Sequence, residues 1–378
     1  MKAVLVTGAA GFIGKNLCAT LEQDKEIEIL RFDRKGTLDQ LAAYLKKAEF
    51  VFHLAGINRP KNEAEFDEGN RGLTQELLDI LAEDGKRTPV AMTSSIQAEL
   101  DNAYGKSKKA SEEALFGWSE NSGNPAYVYR LPNVFGKWSR PDYNSVVATF
   151  CHNIANGLPI KINESAAELE LVYIDDVVRE LVAAMNGSAN PEADGYCYVK
   201  RKFKTSLQVL AETIHSFVDA RDKLVIPNLE GDFERFLYAT FTSFYSPDNF
   251  GYELKMRYDD RGWLAEFIKS SQFGQIFISR TKPGITRGNH WHNTKIEKFL
   301  VIDGEAEINF RRVDSEEVIK YQVSGKKLNV IDIPAGYTHS ITNTGSNDLV
   351  TLFWADEIFN PEESDTYFLE AGDNKGRQ

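Results

Sequence analysis

Two hydrophobic rhythms divide this chain, and no single kind of domain accommodates both. From residue 3 to about 220, short apolar runs alternate with amphipathic helical stretches. Runs at 3–7, 27–32, 50–54, 89–94 and 126–131 read as buried strands. Leu38, Leu41, Ala42 and Leu45, and then Leu73, Leu77, Leu78 and Leu81, repeat at helical spacing between them. That alternation specifies α/β architecture, a doubly wound parallel sheet covered on both faces. Beyond about 256 the helical pattern stops. Strands are expected at 275–280, 298–302, 306–311, 318–323, 328–333 and 349–354, divided by turns such as Asp303-Gly304 and Ser324-Gly325. Regular short strands specify a small all-β barrel or jelly roll. Segment 221–255 is too aromatic for a flexible linker and reads as a connector packed on one or both domains. A chain of 378 residues is long enough for two domains. We expect them at 1–245 and 246–370, followed by a frayed polar tail.

Composition narrows the partners. The net charge is −12 and the pI about 5.2, which argues against nucleic acid and anionic membrane surfaces. No apolar run approaches a membrane span, and no secretory leader is evident, so a cytoplasmic protein is expected. Cys18, Cys151 and Cys197 form no metal or redox motif and read as reduced, partly buried thiols.

The first chemical signature is Gly8-Ala-Ala-Gly11-Phe12-Ile13-Gly14, placed between a strand and a helix. Glycines there allow a tight turn, and the helix start offers N–H groups to a pyrophosphate. The next strand ends at Asp33-Arg34. An acidic residue at that position favours ribose hydroxyls, and a guanidinium favours a 2′-phosphate. Arg31 and Lys35 add positive charge, so NADPH is the expected cofactor. Tyr104 and Lys108 lie four apart and share a helix face. They follow a strand ending Met92-Thr93-Ser94-Ser95, at the sheet edge where ligands bind.

The second signature holds three of the six histidines. Gly284 precedes His290-Trp291-His292, then Glu297 and Gly304. Pro334-Ala335-Gly336 leads to His339 and Asn343. His290 and His292 point to one side of an extended segment, and Glu297 and His339 complete a three-nitrogen, one-oxygen set. Imidazole-rich sites suit Zn, Fe, Mn, Ni or Cu; Zn is our first expectation. His53, His152 and His215 lack such partners and read as structural.

Residues 1–220 resemble the extended short-chain dehydrogenase/reductase family. The likeness is carried by Gly8/Gly11/Gly14, His53-Leu54-Ala55-Gly56, Ser95, Tyr104/Lys108, Arg130-Leu-Pro-Asn133-Val-Phe-Gly136 and Tyr173-Ile-Asp-Asp176. It implies a Rossmann-type fold, with the cofactor held by Gly8, Gly11, Phe12, Ile13, Gly14, Asp33, Arg34, Leu54, Ala55, Gly56, Tyr104 and Lys108. It also implies Tyr104 as proton donor, Lys108 as its cationic support and Ser95 as hydrogen-bond donor to the reacting oxygen, with Ser94 as the alternative. Asn133 and Asn144, with Ser95, are the implied substrate contacts. Dehydratases of the family carry Asp-Glu after the Ser/Thr position; Ile96-Gln97 stands here, which removes water elimination.

Residues 265–356 resemble the cupin superfamily, and Asp260-Arg261-Gly262-Trp-Leu-Ala-Glu266 resembles the start of the sugar-nucleotide 3,5-epimerases. The order reductase then cupin resembles a group of capsule and O-antigen biosynthesis enzymes, through 143–150, 282–292 and 365–369. That resemblance implies a UDP-2-acetamido-2,6-dideoxy-hexos-4-ulose as substrate, inverted at C3 in the cupin and reduced at C4 by the front domain. The product would be UDP-2-acetamido-2,6-dideoxy-L-talose. Tyr337, Lys298 and Glu266 are open as the cupin base. The alternatives are a plain 4-reductase whose cupin only holds a dimer, and a nucleotide-sensing protein on an inactive reductase fold. By analogy with both families, a homodimer is expected.

Overall fold

The computed structural model describes residues 1–372 except 59–61, 63, 163–167, 255, 260, 261, 266, 267, 269–273 and 358–361. Two compact units emerge, Met1–Ser145 with Glu168–Thr205, and Val146–Ala167 with Ser206–Gln378.

The first unit is built on five parallel strands: β1 (Lys2–Thr7), β2 (Ile27–Phe32), β3 (Phe50–His53), β4 (Val90–Ser95) and β5 (Ala126–Leu131). Their order is β2-β1-β3-β4-β5, so the winding direction reverses between β1 and β3. Helix α1 (Phe12–Leu21) packs with α7 (Ile174–Met185). On their own, α2 (Leu38–Lys47), α4 (Leu73–Asp84) and α5 (Ala103–Ser122) pack in a row. The Rossmann-type, doubly wound expectation is met. Val4, Leu5 and Val6 are fully buried because a parallel strand is covered on both faces. A single turn, α3 (Ala64–Phe66), runs into a π-helical stretch at Asp67–Gly72 and on into α4. A small sheet of β6 (Asn133–Phe135), β7 (Leu169–Tyr173) and β8 (Phe203–Thr205) completes the unit.

The second unit carries two five-stranded antiparallel sheets. One combines β9 (Gly251–Glu253), β12 (Gln275–Thr281), β14 (Glu297–Asp303), β17 (Asn329–Ile333) and β19 (Leu349–Ala355). The other combines β13 (Thr286–Trp291), β15 (Glu305–Arg312), β16 (Val318–Ser324), β18 (Tyr337–Asn343) and β20 (Tyr367–Phe368). This is the expected C-terminal all-β jelly roll. A hairpin of β10 (Met256–Asp259) and β11 (Gly262–Ala265) precedes them.

The aromatic segment is no mere connector. It forms α9 (Asp232–Thr242), which packs with α6 (Val146–Ala155) and α8 (Leu207–Asp222), and it supplies β9, which pairs with β17. Phe217, Tyr238, Phe241 and Tyr245 form a chain of ring contacts there. Among the described residues no helix is long and apolar enough to cross a membrane. Cys18, Cys151 and Cys197 are buried and unbridged.

Candidate functional site

The loop after β1 is set by close backbone approach. Gly8 adopts φ +67°, and a Cβ there would lie 2.8 Å from the Ala55 amide nitrogen. A Cβ on Gly14 would come within 2.1 Å of the Gly8 carbonyl. Gly11 caps α1 without a side-chain hydrogen bond, so Phe12 and Ile13 begin a helix whose first N–H groups no side chain takes up. Leu54-Ala55-Gly56, after β3, faces this loop across the point where the sheet reverses its winding, the usual ligand crevice. His53 sits beneath, its ring nitrogens 2.9 Å from the hydroxyls of Thr7 and Thr74. Burial, and then the charge of Lys108, push its imidazole down to about 3. It is a neutral structural residue, as expected.

Asp33 and Arg34 differ in their engagement. The Asp33 carboxylate accepts the Ala10 N–H at 2.9 Å, which ties β2 to the glycine loop. Arg31 is paired with Glu22. Arg34 is exposed, and among the described residues it has no ion-pair partner.

Ser95, Tyr104 and Lys108 converge at the C-terminal edge of β4. The Ser95 hydroxyl neighbours the Tyr104 phenol. Burial raises the Tyr104 phenol above its usual range, and the nearby Ser95 hydroxyl opposes that rise. Lys108 Nζ donates to the Thr93 carbonyl at 2.9 Å and lies near Gly56, where a Cβ would come within 3.6 Å of it. Burial pushes the ammonium down to about 8, with Glu112 opposing. The neighbouring Ser94 is buried, and its hydroxyl has no hydrogen-bond partner among the described residues. The sequence reading missed Asn70. Its side chain accepts the Ile57 N–H at 2.8 Å and donates to the Ile57 carbonyl at 3.0 Å and the Ser107 hydroxyl at 2.9 Å. It therefore ties the loop after β3 to the helix bearing Tyr104 and Lys108, from within a π-helical stretch, a feature frequent at functional sites. Its one sequence signal was a buried polar residue just ahead of an apolar helix. Asn133, at the start of β6, donates to the Glu170 carbonyl at 3.4 Å, and Asn144 lies exposed before α6. Neither has a described contact with Ser95, Tyr104 or Lys108.

In the second unit His290, His292, Glu297 and His339 meet, with one ligand-type atom of each within 4.8 Å of the others. The strands explain why. His290 is opposite His339 in the β13–β18 ladder, and their rings are 4.6 Å apart. Opposed residues share a sheet face. Glu297 opens β14 in the facing sheet. Its Oε2 lies 3.3 Å from His292 Nε2 and 3.4 Å from His339 Nε2. Two ligands each roughly 2 Å from one tetrahedral ion would be roughly 3.3 Å apart, so the spacing suits a small divalent cation. His292 Nε2 and both His339 ring nitrogens are buried without a hydrogen-bond partner. A cation would satisfy one nitrogen of each ring. Burial, with His339 and His292 adding to it, pushes His290 down to about 3, so it is a neutral lone-pair donor. Burial likewise lowers His339, against the pull of Glu297. Burial would lower His292 too, but Glu297 holds it up. Burial would raise Glu297, yet His292 and His339 keep it well below the carboxylate range. Lys295 pairs with the other Glu297 oxygen at 3.1 Å.

Of the open bases, Lys298 is removed. Adjacent strand residues face opposite ways, and Lys298 pairs with Asp332 beside Tyr252, away from Glu297. Tyr337 lies two residues before His339 and packs edge-on to Phe250. Glu266, with Asp260 and Arg261, is outside the described residues.

A parallel dinucleotide-type sheet with a Ser/Tyr/Lys set, followed by a jelly roll with a histidine cluster, defines a Rossmann-type domain joined to an all-β domain. The chain belongs to the NAD dependent epimerase/dehydratase family, whose model matches residues 4–196. Residues 257–367 match the polysaccharide biosynthesis C-terminal domain. Over 370 residues it is 44% identical to the UDP-2-acetamido-2,6-beta-L-arabino-hexul-4-ose reductase of Pseudomonas aeruginosa, covering 98% of this chain and 99% of that one. It is similar to the crystal structure of the capsular polysaccharide assembling protein CapF from Staphylococcus aureus, with 45% identity, TM-score 0.67, and coverage of 97% and 99%. The expected kinship with capsule-synthesis enzymes therefore holds over nearly the whole chain.

Proposed function

We propose that the chain is a bifunctional UDP-sugar enzyme of capsule or O-antigen biosynthesis. It inverts C3 of a UDP-2-acetamido-2,6-dideoxy-hexos-4-ulose in the cupin and reduces C4 in the front domain to UDP-2-acetamido-2,6-dideoxy-L-talose. The observation that carries this reading is the presence, in one chain, of a Ser95–Tyr104–Lys108 set and a buried three-histidine, one-glutamate cluster. Likeness to a reductase of a UDP-linked hexul-4-ose along nearly all of both chains supports it.

NADPH, which the glycine loop of Gly8, Gly11 and Gly14 would hold, would supply hydride to C4. Tyr104 gives its proton to the C4 oxygen, and Lys108 stabilises the phenolate left behind. Ser95 donates a hydrogen bond to the same oxygen. Asp33 holds the glycine loop and leaves exposed Arg34 for the 2′-phosphate. Asn133 and Asn144 are assigned to the substrate. His290, His292, Glu297 and His339 would hold a divalent metal, for which we favour Zn, and it would supply Lewis acidity toward a carbonyl oxygen. We assign the two activities to 1–245 and 246–370, and take the enzyme as a cytoplasmic homodimer. The test is to incubate the pure protein with NADPH and the UDP-4-ketosugar and read the product by NMR. NADPH oxidation with a C3-inverted, C4-reduced product supports the reading. Reduction without inversion leaves a plain 4-reductase, and no oxidation with any 4-ketosugar removes the enzyme reading.

A further inference from the structure

The histidine cluster depends on a residue far outside it in sequence. His292 Nδ1 lies 2.5 Å from the main-chain carbonyl of Asp365. A carbonyl only accepts, so Nδ1 carries a hydrogen, and whenever the ring is neutral its lone pair lies on Nε2. That is the nitrogen turned toward Glu297 at 3.3 Å. The same residue's carboxylate holds the turn that joins His292 to Glu297. Its Oδ1 accepts the Asn293 N–H at 2.9 Å, and its Oδ2 accepts the Thr294 N–H at 2.7 Å, the Lys295 N–H at 2.8 Å and the Thr294 hydroxyl at 3.0 Å.

Asp365 does not hang on a loose end. Phe368 and Tyr367 pair with His290 and Trp291. The Leu369 N–H donates to the Asn289 carbonyl at 2.9 Å and the Ala371 N–H to the Asn289 side chain at 3.2 Å. Arg311 donates to the Glu370 carbonyl at 2.6 Å, and the Thr338 hydroxyl donates to that of Leu369. Residues 365–371 thus form a strap across the edge of β13, fastened to the strands that carry His290 and His339.

We propose that Asp365 is a positioning residue for the metal site: its carboxylate, by holding the 293–295 turn, keeps its own carbonyl against the His292 ring and so sets the affinity for a divalent cation. The inference rests on the metal reading of the cluster given above. Outer partners of ligand histidines typically contribute about 10–100-fold in metal affinity.

The experiment titrates the metal-free, full-length protein with Zn²⁺ against a chromophoric chelator, and with Co²⁺ by visible absorption. Wild type, Asp365→Ala and Asp365→Asn are compared, each with its melting temperature in EDTA. Asp365→Ala should bind Zn²⁺ about 10–100-fold more weakly and change the shape of the Co²⁺ spectrum. Asp365→Asn should lose less, because its amide keeps one accepting oxygen; it carries the test if the alanine variant does not fold. Unchanged affinity and spectrum in a folded variant, even one that melts earlier without metal, would overturn the role of Asp365 alone. Absence of saturable binding by wild type would instead overturn the metal reading, and this inference with it.

Discussion

Lys108 is the residue at which burial and chemistry oppose each other. Desolvation pushes its ammonium down to about 8, although Glu112 favours the charge. The folded pKa then lies below the unfolded value of about 10.4. Between those two values the unfolded chain binds more protons, so stability from this group rises with pH from about 8 upward and is lost as pH falls through about 8. Lys108→Met should remove that slope. Denaturant unfolding of wild type and variant across pH 7.5–10 checks it, and parallel curves would contradict it. The variant should also lower kcat for reduction by about 10²–10⁴-fold. Asn70 is the complementary case, a fully satisfied polar group that fixes geometry. Asn70→Ala leaves the Ile57 amide and carbonyl without their partner and should cost about 1–3 kcal/mol. It should also raise KM for NADPH, as steady-state kinetics would show.

Strands and helices were legible where burial is apolar. β1 through β5 fall where alternating apolar runs put them, because nothing but packing acts on Val4, Val51 or Val128. The sequence reading found no strand at β13 or β18, the two that hold His290 and His339. Their inward positions carry ligands instead of aliphatic residues, and Asn289 at φ +59° marks a bulge in β13. Hydrophobic periodicity fails where chemistry replaces packing. Ligand spacing singles out those same positions, which the structure brings together, since it reads the polar residues that periodicity ignores. Asp365 and Asn70 escaped both methods because each acts across a large sequence gap. Lys298 stays open as a base in the sequence for lack of register; once β14 is placed, it turns away from Glu297 into a buried cluster with Asp332 and Arg221. Breaking that buried cluster with Asp332→Ala should strand two cations and cost about 3–5 kcal/mol, measurable by chemical denaturation. A loss well under 1 kcal/mol would show that the helices α8 and α9 are held by their aromatic contacts alone.

At the scale of the whole chain, the proposed bifunctional reading puts reduction and C3 inversion at two sites that share no residue. Chelation should therefore dissect it. EDTA treatment should stop exchange of the C3 proton while a ketosugar already inverted at C3 is still reduced, as NADPH absorbance would record. Loss of both activities on chelation would mean that the metal holds more than its own unit. The complementary and most direct measurement uses Tyr104→Phe, with NADPH and the UDP-4-ketosugar in deuterated water, followed by proton NMR. Deuterium should enter at C3 at the wild-type rate, with no C4-reduced product. Loss of C3 exchange together with reduction would contradict the bifunctional reading, because a single site would then perform both steps.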